Sequence, residues 1–274
     1  MSQNTKQKLP VIMCFGGADA TGGAGIQADI ETIISMGAHA CPVITAITVQ
    51  DTQNLQHFQA VGSTLLIEQA RAVLEDIPVQ VFKLGMLGSI ENIEAIHTLL
   101  IDYPDIPVVL DPVLAAGGGT QMTDGAMLDA MVNLLLPLTT VITPNSIEAR
   151  RLAHNADSLD ACAMELQDMG CEFVLITGGH EDTLHVENQL YTNHRLLETF
   201  TWERLAHNYH GSGCTLASAI AAMLAQGLEP FMAIHEAQQY TWDALQHGYR
   251  LGMGQWHPNR LFWARGEDGE DEYE

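Results

Sequence analysis

The sequence predicts an α/β domain in three layers, with a mostly parallel central sheet covered by helices on both faces. Three observations predict it. Short apolar runs of strand length alternate with amphipathic stretches of helix length along the chain. The glycine-rich and polar motifs fall where a strand ends and a helix begins, which is where such sheets collect ligands. No internal repeat, linker or compositional break interrupts residues 10–260, and 274 residues with 47% hydrophobic content suffice for one large core.

The elements follow in order. Residues 10–16 (PVIMCFG) form an apolar run, followed by a glycine-rich turn and an amphipathic segment over 22–36. Residues 41–49 (CPVITAITV) read as a buried strand. Helical patterns over 64–75, 89–100 and 124–135 alternate with strands at 79–84, 107–111 and 140–142. Residues 145–153 and 159–169 read as helices, 173–176 as a strand, and 187–202 as a hairpin by its alternation. Helices over 212–226 and 229–247 close the domain. Residues 1–9 and 261–274 are expected to be tails.

Charge narrows the function. Eleven Lys and Arg stand against 34 Asp and Glu, a net charge of −23. Such a surface repels nucleic acid and anionic membrane, so an anionic substrate must be handled by the site itself. Part of the acid is concentrated in residues 265–274, which read as a solvating tail. The five cysteines, Cys14, Cys41, Cys162, Cys171 and Cys214, are odd in number and form no CxxC. They indicate neither a disulfide framework nor a structural zinc site. The first ten residues lack the apolar stretch of a signal peptide, and no long uncharged apolar segment follows. A cytoplasmic protein is expected.

Five motifs carry candidate chemistry. Residues 16–29 (GGADATGGAGIQAD) follow a strand and open a helix, with glycines that let the backbone approach a ligand; a tight turn with no ligand would look the same. Residues 210–219 (HGSGCTLASA) put Gly211, Ser212, Gly213 and Cys214 at a helix start. Free N–H groups there suit developing negative charge, and a thiol in a first helical turn is expected to have its pKa lowered toward neutrality. The alternative for Cys214 is a small residue used for packing. Residues 143–148 (TPNSIE) place Asn145 and Glu148 on one face of a first turn, where they could order a hydrated Mg²⁺ or simply cap the helix. Asp111 ends one strand, and residues 176–181 (ITGGHE) follow another.

Taken together, these stretches, with TAITVQ at 45–50, KLGMLG at 83–88 and LDPV at 110–113, resemble the hydroxymethylpyrimidine/phosphomethylpyrimidine kinases over residues 10 to about 250. The resemblance implies a ribokinase-like fold, a homodimer, and ATP with Mg²⁺ as cofactors. It implies phosphorylation of 4-amino-5-hydroxymethyl-2-methylpyrimidine and then of its monophosphate, in thiamine biosynthesis. Carried over residue by residue, Gly211, Ser212, Gly213 and Cys214 match the anion hole, with Cys214 where many superfamily members have a catalytic aspartate. Asn145 and Glu148 match the Mg²⁺/phosphate motif, and Asp111 an acidic residue near the metal. Gln50 matches the residue that reads the pyrimidine edge; a carboxamide can accept from an exocyclic amine and donate to a ring nitrogen. Gly17, Asp29, Met86 and Val113 match positions lining the pyrimidine pocket. Thr177 and Gly179 match the ATP-phosphate loop, though Thr177 stands where the family often has Lys. The loop at 115–120 is uncharged, and Ala18 and Ala20 replace the more usual Ser and Pro. A pyridoxal kinase of the cysteine-bearing type and a non-catalytic ligand-binding relative are the alternatives. A dinucleotide-binding oxidoreductase is disfavoured because the GxGxxG register is absent.

Overall fold

The computed structural model describes residues 9–115 and 122–264. The acidic stretch 265–274, residues 1–8, and the uncharged loop after Ala115 lie outside the described residues. In chain order the first half comprises β1 (Val11–Ala18), α1 (Gly25–Ser35), β2 (His39–Gln50), β3 (Leu55–Ala60), α2 (Ser63–Leu74), β4 (Val81–Leu84), α3 (Ile90–Asp102) and β5 (Val108–Leu110). The second half comprises α4 (Gly125–Ala130), β6 (Val141–Ile142), α5 (Ser146–Leu152), α6 (Leu159–Asp168), β7 (Phe173–Ile176), β8 (His185–Thr192), β9 (Arg195–Glu203), α7 (Ser212–Ala225) and α8 (Pro230–Gln246).

The nine strands form one sheet in the order β3-β2-β1-β4-β5-β6-β7-β8-β9. From β2 to β7 every neighbouring pair is parallel. The edges are antiparallel, with β3 on β2 and the β8–β9 hairpin on β7. In β1, Val11, Met13 and Phe15 enter one core cluster while Ile12 and Cys14 enter the other, as the two-residue period of a strand requires. The first cluster is shared with α2 to α6, the second with α1, α7 and α8. Three layers result, as the sequence predicts.

Differences from the sequence reading have local causes. β3 (LQHFQA) is an edge strand in which only Leu55 is buried, so it lacks the apolar run that marks the central strands. The helix expected over 124–135 ends as an α-helix at Ala130 and continues through a π-helical turn, Met131–Leu135. The β8–β9 turn places Asn193 and His194 at φ of 51° and 55°, the paired left-handed residues of a tight hairpin. The fold also runs past residue 260. Phe262–Ala264 forms a 3₁₀ turn in which Phe262 packs on Tyr240 and His247 and the Trp263 indole donates to Ser35 Oγ at 2.8 Å. Residues 261–264 therefore belong to the domain rather than to a tail. Among the described residues no helix is long and apolar enough to cross a membrane.

Candidate active site

A cavity of about 650 Å³ opens at the carboxyl ends of the parallel strands. The ends of β1 and β2 contribute Gly17 and Gln50, and the turn after β4 contributes Met86. Beyond β5, β6 and β7 come Asp111 and Val113, then Asn145 and Glu148, then Thr177 and Gly179. The N-terminus of α7 closes the floor with Gly211, Ser212, Gly213 and Cys214. One cavity thus gathers every site residue picked out in the sequence except Asp29.

Asp29 requires a correction. It is fully buried in α1 and lies beneath the cavity wall, where its carboxylate accepts from Lys83 Nζ at 2.8 Å and from Ser218 Oγ at 2.7 Å. Lys83 went unremarked as a site residue in the sequence, although a lysine within an apolar strand is a signal in itself. Phe82 and Leu84 face the α2–α6 layer and Val81 the other, so alternation turns Lys83 toward α1 and α7. Burial works against its charge, but Asp29, then Cys214 and Asp111, overcome that cost and raise its pKa. The ammonium lines the cavity floor.

Cys214 requires the second correction. It occupies the first turn of α7 as expected, yet its thiol is pushed up to about 12, not down toward neutrality. Burial is the main cause; Lys83 opposes it, and the carboxylates of Asp111 and Asp29 add to it. The Gly25 backbone N–H, like Lys83, works in the lowering direction. Desolvation in a site that holds two acidic groups outweighs the lowering that a helix N-terminus favours.

Asn145 and Glu148 form a capping box. The Asn145 side chain accepts from the N–H groups of Ile147 and Glu148, and Glu148 Oε2 accepts from the Asn145 N–H at 2.9 Å. The capping alternative left open in the sequence is therefore present. It leaves Glu148 facing the cavity beside Asp111, and burial together with that neighbour pushes its pKa up to about 8. Burial also raises Asp111, whose Oδ2 is buried without a hydrogen-bond partner. Two crowded carboxyls and an orphaned oxygen suit a divalent cation. Among the described residues no cluster of three or more His, Cys, Asp or Glu could enclose a metal, so a Mg²⁺ held by Asp111 and Glu148 would keep most of its water, as that ion usually does.

Two further residues organise the floor. Asp19 accepts from the N–H groups of Thr21 and Ala24 and pairs with His210 Nε2 at 2.9 Å, joining the glycine-rich loop to the residue that precedes Gly211. Burial would raise the Asp19 pKa, but His210 and the two N–H groups outweigh it and hold it at about 2. The loops meet closely. A Cβ on Gly211, whose φ is +84°, would lie 2.0 Å from the Gly23 carbonyl oxygen, and one on Gly25, at φ +60°, would lie 2.2 Å from the Gly17 carbonyl oxygen; only glycine fits at either point. At the opposite rim Arg204 donates to the carbonyls of Gly179, Glu181 and Thr183 and holds that loop in place.

A three-layer sheet of this order, with an N–H-rich helix start facing two carboxyls across its carboxyl edge, defines the ribokinase-like class of small-molecule kinases. The pyridoxal kinase of Staphylococcus aureus in complex with pyridoxal superposes with a TM-score of 0.86 at 27% identity, covering 95% of this chain and 97% of that one. The chain belongs to the phosphomethylpyrimidine kinase family, whose model matches residues 19–259. The hydroxymethylpyrimidine/phosphomethylpyrimidine kinase of S. aureus is 32% identical over 272 residues, 97% of this chain and 98% of that protein. The thiamine biosynthesis bifunctional protein ThiED of Geobacter sulfurreducens is 37% identical over 260 residues, which are 92% of this chain. This chain spans about half, 52%, of that bifunctional relative's length.

Proposed function

We propose that this chain transfers the γ-phosphoryl group of ATP to the hydroxymethyl oxygen of 4-amino-5-hydroxymethyl-2-methylpyrimidine, and then a second phosphoryl group to the monophosphate. The observation that carries the reading is the convergence of Gln50, Cys214 and the α7 N-terminus with Asp111 and Glu148 in one cavity of a chain from this family. Gln50 reads the pyrimidine edge; its amide already donates to Thr48 Oγ1 at 2.9 Å, which fixes its orientation. Gly17, Met86 and Val113 enclose the ring. The N–H groups at Gly211–Cys214 receive the transferring phosphoryl group. Asn145, Thr177 and Gly179 face the rest of the ATP phosphates. Mg²⁺ bound through Asp111 and Glu148 would supply charge neutralisation between those phosphates.

In the first step the alcohol oxygen attacks the γ-phosphorus, the bond to the β-phosphate oxygen breaks, and the alcohol proton passes to Cys214. The resting thiol must first give up its own proton, and the carboxylate of Asp111, a neighbouring charge that acts on the sulfur, is the group that takes it. Lys83 is the buried cation that stabilises the thiolate so formed. The nucleophile of the second step is a phosphate monoester, already largely dianionic at neutral pH, and needs no base.

The exposed outer face of β2, with Ile47 and Val49, supports a homodimer, which sedimentation would test. All five cysteines are free, which supports a reducing, cytoplasmic setting. The deciding experiment is ³¹P NMR of ATP, Mg²⁺ and the hydroxymethylpyrimidine, with pyridoxal in a parallel tube. Monophosphate followed by diphosphate is expected with the pyrimidine. Turnover of pyridoxal alone would replace this reading with that of a pyridoxal kinase, as the fold shared with the S. aureus enzyme allows.

A further inference from the structure

Arg260 lies beyond every motif in the sequence, yet only 2% of it is exposed. Its guanidinium spans the back of the site. Nε donates to Thr215 Oγ1 at 2.9 Å, Nη2 to the Gly23 carbonyl, and Nη1 to Glu31 at 3.0 Å and to the Gly22 carbonyl at 3.4 Å. The Arg260 carbonyl in turn accepts from Ser35 Oγ at 2.6 Å and Tyr240 OH at 2.8 Å, so the residue is held from both ends. A Cβ on Gly211 would lie 2.9 Å from Nη2. The cation therefore stands directly behind the first residue of the anion hole.

The two buried cations differ in how they are neutralised. Lys83 faces Asp29, and both side chains are at most 1% exposed. Arg260 faces Glu31, whose side chain is 44% exposed, so water screens that carboxylate while the guanidinium remains in low dielectric. Arg260 does not itself line the cavity, but the field of its permanent guanidinium charge reaches the floor through Gly211, which does. It meets a need visible in the sequence, because the loops around the phosphates, with Thr177 at the position often held by Lys, carry little charge of their own.

We propose that Arg260 is the positioning residue of the phosphate site. It pins the glycine-rich loop to the N-terminus of α7 and sets a fixed positive charge behind the N–H groups that receive the phosphates. The inference rests on the kinase reading above. It is tested by calorimetric affinities for AMP, ADP and ATP, without metal, in the wild type, Arg260→Met, Arg260→Lys and Glu31→Gln. The expected result is graded by ligand charge: Arg260→Met loses at most about 2-fold for AMP and about 10-fold or more for ATP, the scale of one charge-assisted contact. Arg260→Lys keeps most of the gradient. Glu31→Gln, which removes the partly screening carboxylate, shifts ATP affinity upward and leaves AMP unchanged. Equal losses for all three nucleotides, or weaker ATP binding in Glu31→Gln, would show a purely structural role and overturn the proposal. If Arg260→Met does not fold, the sign of the Glu31→Gln change decides alone. Wild type that binds none of the nucleotides, with Mg²⁺ added as well as without it, would refute the kinase reading instead.

Discussion

The reactivity of Cys214 tests the electrostatics of the site most directly. A free thiol titrates near 8.5, so at pH 8 about a quarter of it is thiolate. With the Cys214 thiol at about 12, the ionised fraction at pH 8 is about 10⁻⁴, and alkylation by iodoacetamide should run about 10³-fold slower than for a model thiol. The assay is the rate of mass increase between pH 7 and 11, with Cys214→Ala as the background. Cys14, Cys41, Cys162 and Cys171 are all buried, so the difference between the two proteins isolates Cys214. The rate should still be climbing at pH 10. Two substitutions should move it in opposite directions. Lys83→Met removes the cation that lowers the thiol and should slow alkylation further. Asp29→Asn removes a carboxylate that raises it and frees Lys83 to act on the sulfur, so it should accelerate the reaction. Either substitution breaks the buried Lys83–Asp29 pair, a loss on the order of 3–5 kcal/mol, so rates are compared only between variants shown to be folded. An inflection at or below pH 8.5 in the wild type, or slower alkylation in folded Asp29→Asn, would refute the reasoning.

Three further outcomes are expected. Cys214→Ala, which keeps the backbone donors, should slow phosphorylation of the alcohol by about 10²-fold or more, the range of general-base catalysis, and that of the monophosphate far less; equal losses in single-turnover kinetics would assign Cys214 to packing. Gln50→Leu should weaken pyrimidine binding by about 1–3 kcal/mol with ATP affinity nearly intact, and an unchanged pyrimidine affinity would remove Gln50 from the site. Asp19 has its folded pKa depressed to about 2, so it contributes stability above its unfolded pKa that is lost as pH falls toward 2. Its full contribution is about 2 kcal/mol, roughly half of which is lost by pH 3. In urea unfolding, the stability difference between pH 6 and pH 3 should therefore be about 1 kcal/mol smaller in Asp19→Asn than in wild type, and an identical difference would show that Asp19 is not charged against His210.

Much of this protein was legible in the sequence because it depends on short-range periodicity. The central strands are buried on both faces and read as apolar runs, and the helices carry their own stripes and caps; Ser89, Asp124 and Ser158 each accept an N–H of the helix they start. The motif loops were legible because glycines and small polar residues at strand-to-helix junctions have few other uses. β3 was missed because an edge strand open to water carries no burial signal.

What only the tertiary structure decided is the pairing of charges across the chain. Lys83 finds Asp29 across 54 residues, His210 finds Asp19 across 191, and Arg260 finds Glu31 across 229. No local pattern marks such partners, because a carboxylate or guanidinium looks the same in sequence whether it faces water or a buried counter-charge. The sign of the Cys214 shift was lost for the same reason. The helix start that favours a thiolate is local and readable, whereas the desolvation and the two carboxylates that outweigh it arrive from β5 and α1 only when the layers close.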